Sequence, residues 1–216
     1  MIAPTNDPMS QMTIRLHRGD LPDLTAYKGA VAIDTETMGL EPGRDRLCVV
    51  QLSPGDGSAD VVQIAAGQNK APNIERLLAD TSKVKLFHFG RFDIAVLAKA
   101  FGVMAQPVYC TKIASRLART YTDKHGLKDL AREVLGVDLS KQQQSSDWGA
   151  DELSDAQVAY AATDVLHLHA LKEKLDTMLA REQRTELASA CFRFLPERAR
   201  LDLAGWADED IFSHGV

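Results

Sequence analysis

The run Val31-Ala32-Ile33-Asp34-Thr35-Glu36 constrains this chain more than any other stretch. Its apolar residues, small or β-branched, read as a buried strand. Asp34 and Glu36 end that strand two residues apart, and side chains two apart on a strand share a face. Two carboxylates delivered to one place repel each other unless a cation sits between them.

More oxygen ligands recur further along. Asp93 closes the segment His88-Phe89-Gly90-Arg91-Phe92-Asp93, and Tyr160 and Asp164 bracket Tyr160-Ala161-Ala162-Thr163-Asp164. Four residues apart on a predicted helix, Tyr160 and Asp164 share a face. Each piece alone has an ordinary reading. An Asp-x-Glu pair is commonly a solvated loop entry, Asp93 can complement a helix dipole, and Tyr-x3-Asp is common on helix surfaces. Together, four carboxylates and a phenol suit hard divalent cations, Mg²⁺ or Mn²⁺, rather than zinc. Two such ions, about 3.5–4 Å apart, clamp the attacking and leaving oxygens of a phosphoryl displacement.

The element order points to an α/β fold. Strands are expected at Val31 to Ile33, Leu47 to Leu52 and Ala59 to Ile64, the last two joined through the turn Ser53-Pro54-Gly55-Asp56-Gly57. Residues Arg15 to Gly29 only lead into the first of these. Helices and strands then alternate: helix Asn73 to Leu78, strand Lys85 to Phe89, helix Phe92 to Phe101, strand Val108 to Cys110, then helices Thr111 to Arg119 and Leu127 to Leu135. Ser154 and Gln157 form a capping box that opens one long helix carrying Tyr160, Asp164, Leu168, Leu171 and Leu175. This order describes a mixed sheet flanked by helices. Residues 1–11 show no periodicity and are expected to be a disordered tail, with 12–216 a single domain.

Composition narrows the function classes. A net charge of −5 does not announce a binder of long nucleic acid. A local basic stretch holds Lys112, Arg116, Arg119, Lys124, Lys128 and Arg132, and the spacing of Lys112, Arg116 and Arg119 predicts one helical face. That face is either solvated or a phosphate contact. Cys48, Cys110 and Cys191 form no C-x-x-C pair and read as small residues of a reducing cytoplasm. No apolar run is long enough for a membrane span.

In order and context, these motifs resemble the DEDD 3′–5′ exonucleases with tyrosine at the third motif. The chain resembles ribonuclease D from about Ala30 to Leu171. The segments Gly126-Leu127-Lys128, Ser140 through Trp148, Cys191 through Pro196 and Leu201-Asp202-Leu203 are similar to the single-domain nanoRNase C type, which removes very short RNAs. The resemblance implies a ribonuclease H-like fold and a two-metal 3′–5′ exoribonuclease of the cytoplasm, with 5′-phosphorylated dinucleotides as preferred substrates. It also implies a ring-shaped homo-octamer.

Site roles follow from the same resemblance. Asp34 bridges both ions, Glu36 and Asp164 complete the first, Asp93 holds the second through water, and Tyr160 positions the attacking water. Leu40 is either a wedge between two bases or a cap on the core edge, with Thr35, Met38 and Gly39 beside it. His88 is an active-site wall or a structural histidine. The run from Lys141 through Gln144, Ser145, Ser146 and Trp148 is a cap for a 5′-phosphate or a polar linker; Arg116 joins these candidates. Phe192, Phe194, Leu195, Leu201, Leu203, Trp206, Ile211 and Phe212 follow the catalytic motifs, so residues 184–216 are expected to be a helical segment that covers the domain or meets another subunit. Open alternatives are a ribonuclease D-like processor of RNA 3′ ends, a DNA exonuclease, and an inactive nucleic-acid-binding module.

Overall fold

A computed structural model describes residues 12–140 and 142–214. The expected disordered tail, residues 1–11, and Lys141 lie outside the described residues. Six strands form one mixed sheet in the order β1-β4-β3-β2-β5-β6. They are β1 (Thr13–Arg18), β2 (Val31–Thr37), β3 (Leu47–Ser53), β4 (Ser58–Gln63), β5 (Lys85–Phe87) and β6 (Val108–Cys110). β2, β3 and β4 pair antiparallel in sequence, while β5 lies parallel to β2, β6 parallel to β5, and β1 parallel to β4. The central position of β2 follows from its sequence, since Val31, Ala32 and Ile33 have no exposed surface.

Alternation along β2 divides the core in two. Val31 and Ile33 face a cluster shared with helices α1 (Pro72–Ala79), α2 (Arg91–Phe101) and α7 (Thr185–Leu201). Ala32 faces a second cluster built from α3 (Thr111–Ala118), α4 (Leu127–Leu135), α5 (Asp155–Leu166) and α6 (Leu168–Arg181). Asp34 and Glu36 share Ala32's parity, so they point toward α5; Thr35 points toward α2.

The structure departs from the sequence reading at three places. Strand β1 was read only as a lead-in. It is held to β4 by polar contacts around buried Asp60: Arg15 Nε donates to it at 2.7 Å, His17 Nε2 lies at 2.8 Å, and Tyr27 donates at 2.6 Å. Ile14 and Leu16 stay exposed, so no apolar pattern marks the strand. The single helix expected from Ser154 breaks at His167 (φ −100°, ψ −7°) into α5 and α6. His169 Nε2 lies 3.0 Å from the Ala30 carbonyl and draws the start of α6 onto the sheet. Arg119 does not share an outer face with Lys112 and Arg116. It is the residue at which α3 ends, with non-helical angles, and its side chain turns inward to Ser115 Oγ, the Lys124 carbonyl and Glu133.

The C-terminal helix α7 buries Ala188, Leu195, Pro196 and Ala199 against the domain. A π-helical turn follows at Asp202–Trp206. Phe194, Leu203, Trp206, Ile211 and Phe212 remain exposed. Among the described residues, no helix is long and apolar enough to cross a membrane.

Candidate metal centre

Three carboxylates converge where β2 ends against α5. Asp34, Glu36 and Asp164 each offer an oxygen, and these atoms lie within 4.8 Å of one another. The strand's two-residue period supplies the first two. The third comes from α5, whose N-terminus is fixed by the reciprocal Ser154 and Gln157 capping box. Gln157 also donates at 3.0 Å to the Asp147 carbonyl, tying the preceding loop to this helix.

No lysine or arginine among the described residues forms an ion pair with Asp34, Glu36, Asp93 or Asp164. Burial first, and then mutual repulsion, push Glu36 up to about 9. The same two causes hold Asp164 above the ordinary carboxylate range; for Asp34 the cause is burial. Two like charges at this spacing repel by roughly 3.5 kcal/mol at an effective dielectric of about 20. Three ionised carboxylates are therefore unstable together without protons or cations. An all-oxygen cluster with no ion-paired cation among the described residues fits hard divalent cations.

Asp93 approaches from the opposite side of β2. It is buried at the start of α2 and accepts a 2.7 Å hydrogen bond from the Thr35 hydroxyl. Burial, reinforced by the charge of Asp34, raises its pKa. Thr35 was grouped with the substrate contacts. It lines the carboxylate cavity, though only 6% exposed, and its hydroxyl donates to Asp93 and orients that carboxylate.

A cavity of about 300 Å³ opens over the cluster. Asp34, Thr35, Glu36, Tyr160 and Asp164 line it together with Lys112, Lys128, Ser140 and Gln144. Tyr160 is held above its usual pKa, chiefly by burial and by Asp164, so its hydroxyl keeps its proton. His88 lines the same cavity with Nδ1 2.9 Å from Thr111 Oγ1. Burial, and then the charge of Lys112, push it down to about 3, so the ring is neutral. It is thus both cavity wall and structural tie.

Other sequence candidates fall elsewhere. Met38 and Leu40 stand on the loop beyond β2, 55% and 85% exposed. Gly39 fits against Asp45, whose carboxylate oxygen would meet a Cβ there at 2.2 Å, so a larger residue would displace that carboxylate. Arg116 lines a neighbouring cavity. Ser145 and Ser146 do not line the carboxylate cavity, and Ser146 is turned to Gln143 at 2.6 Å. Trp148 is 3% exposed and is no substrate contact; its ring packs 6.1 Å from that of Tyr160, centroid to centroid. Its bulk fills the core behind the Tyr160 ring, which its polar neighbours in sequence conceal.

The sequence reading did not place Ser140, Gly126 and Leu127 at the site, although all line the cavity. The signals for them were the Gly126-Leu127-Lys128 segment and the run that Ser140 opens, neither of which gave a direction.

Comparison with known proteins agrees with this geometry. The model of a 3′-5′ exonuclease family matches residues 20–180. Ribonuclease D of Granulibacter bethesdensis is 38% identical over 154 residues, covering 71% of this chain and 38% of that protein. The chain spans about two-fifths to half the length of the curated ribonuclease D proteins it matches first. The structure of Brucella melitensis NrnC with bound Mg²⁺ superposes with a TM-score of 0.92 at 64% identity, covering 94% of this chain and 100% of that one. The same protein bound to pGG matches with a TM-score of 0.92, 65% identity and the same coverage. A carboxylate cluster at the end of a central strand, on a mixed sheet matched along nearly its whole length, places this chain among the 3′–5′ exonucleases of the ribonuclease D superfamily, in the NrnC type.

Proposed function

We propose that this chain is a divalent-metal-dependent 3′–5′ exoribonuclease that releases 5′-mononucleotides from very short RNAs, above all 5′-phosphorylated dinucleotides. The observation that carries this reading is the cavity itself. It is a space of about 300 Å³ lined by three clustered carboxylates and by Lys112 and Lys128. The carboxylates would hold cations that neutralise the scissile phosphate, and the lysines answer a second phosphate close by. The pGG complex of Brucella NrnC supports a short ligand.

Asp34, Glu36 and Asp164 would hold Mg²⁺ or Mn²⁺, and Asp93, fixed by Thr35, would serve a second ion. Such ions supply activation of water and neutralisation of charge at the phosphate. Tyr160 orients the attacking water through a hydroxyl that stays protonated, backed by Trp148. Leu40 and Met38 offer apolar surface to the bases of the cleaved end. Gln144, Ser140 and Lys112 receive the 5′-phosphate. The exposed apolar residues of 184–216 serve a homo-oligomer, a ring of eight on the family pattern, and the free thiols suit the cytoplasm.

The test is a time course on 5′-phosphorylated RNAs of two to seven nucleotides in Mg²⁺ and in Mn²⁺, with a DNA control. Fastest release of mononucleotides from the dimer is expected. Equal rates at all lengths would move the assignment to a general ribonuclease D-like exonuclease, and no metal-dependent hydrolysis would leave a binding module.

A further inference from the structure

Two consecutive residues leaving β5 grip two consecutive residues opening α3. His88 Nδ1 lies 2.9 Å from Thr111 Oγ1, and the next residue, Phe89, carries the Lys112 ammonium 4.3 Å from its ring centroid. Phe89 has φ +64°, one of two non-glycine residues with positive φ among those described. A bulky side chain rarely adopts that region, and holding one there is a strain that the surrounding contacts must offset. Glycine would accept the same turn freely. Core packing does not account for the ring either, since Phe89 is 47% exposed. The next residue, Gly90, has no room for a side chain, since a Cβ would meet Phe87 Cβ at 2.7 Å. The strained position nonetheless keeps an aromatic ring, and what that ring touches is Lys112.

Lys112 has no carboxylate partner among the described residues. It lines the carboxylate cavity and also a neighbouring cavity of about 320 Å³ that contains Phe89 and Arg116. A free lysine of this length would sweep between the two. Cation–π attraction confines it at the boundary, which lowers the ordering cost of a later contact.

We propose that Phe89 is a positioning residue, which parks the Lys112 ammonium at the mouth of the carboxylate cavity for the 5′-terminal phosphate of the substrate. This rests on the exoribonuclease reading above and names the group that answers the end phosphate. A terminal phosphate carries more charge than a diester and gains most from a fixed ammonium.

The test is a double-mutant cycle on Phe89 and Lys112, read with 5′-phosphorylated and 5′-hydroxyl dinucleotides. Phe89→Leu is expected to raise KM for the 5′-phosphorylated dinucleotide about five-fold, the upper range for an exposed cation–π contact, with kcat within about two-fold. It should leave the 5′-hydroxyl dinucleotide unchanged. Phe89→Trp keeps a π face and should keep the wild-type KM. In a Lys112→Ala background, Phe89→Leu should add nothing. An equal KM rise on both substrates, or additive effects of the two substitutions, would overturn the proposal while leaving the exoribonuclease reading intact. A wild-type enzyme that hydrolyses neither dinucleotide in Mg²⁺ or Mn²⁺ would overturn both.

Discussion

Thr35 donates a 2.7 Å hydrogen bond to Asp93 across the central strand, so the strand that presents Asp34 and Glu36 on one face also orients a fourth carboxylate through its other face. Thr35→Val preserves shape and strand preference but removes the donor. Partners of this kind typically contribute about 10–100-fold to metal affinity or activity. We expect a loss of roughly that size in single-turnover rate, with weaker Mg²⁺ binding by calorimetry. An unchanged rate and affinity would show that Asp93 needs no orienting.

Asp164→Ala should abolish hydrolysis and leave the fold intact. It removes one of three mutually repelling carboxylates. In chelator, the thermal midpoint should hold or rise, while the stabilisation produced by Mg²⁺ shrinks. A clear fall in the metal-free midpoint would mean that Asp164 is structural.

The metal-free protein should lose stability as pH rises from about 5 to about 9. Glu36 is raised from 4.5 to about 9, and Asp34 and Asp164 are raised as well. Across that window the folded state holds protons that the unfolded chain has released, so the slope of unfolding free energy with pH is negative. Below the unfolded value, near 4.5, this contribution is fully present. Mg²⁺ replaces the protons, so its stabilising effect should grow with pH. Thermal melts at several pH values, with chelator and with Mg²⁺, check both slopes. A metal-free stability that rises through this window would contradict the uncompensated cluster.

Tyr160→Phe should keep metal binding and slow the chemical step. The hydroxyl orients without taking a proton, so a loss near the lower end of the usual general acid–base range, about 10²-fold, is expected. Trp148→Ala should slow the same step by loosening the phenol and should also destabilise the fold, since the indole is buried. An unaltered single-turnover rate in Tyr160→Phe would reassign the tyrosine to packing.

Leu40→Ala should separate recognition from stability. The side chain is 85% exposed, so the thermal midpoint should move little. Binding of the dinucleotide should weaken if the side chain wedges between bases. Equal affinity for wild type and variant would return Leu40 to an ordinary loop residue.

The parts of the fold governed by apolar periodicity were legible in the sequence. Strands β2 to β4 and helices α2 and α4 lie within a residue or two of their expected positions, except that β2 runs on to Thr37. β1 was not legible because polar contacts to Asp60 hold it and leave Ile14 and Leu16 outside. Spacing misled at Arg119, because the helix ends there and its face no longer continues. The convergence of Asp34 and Glu36 was readable from strand alternation alone. The approach of Asp164 to them needed α5 to dock on the sheet, which no local pattern encodes. Trp148 was misread because a sequence shows that a large ring is present but not what it covers.

The interruption at His167 has a mechanical consequence. An unbroken helix from Asp155 to Arg181 would be a rod roughly 40 Å long, and any shift at its far end would be levered onto Tyr160 and Asp164. Instead those residues ride on a twelve-residue segment, anchored at one end by its capping box and at the other by a joint. Movement of α6 can be absorbed at that joint. Tyr160 and Asp164 therefore sit on a short capped piece, set apart by that joint from the fourteen-residue helix that follows.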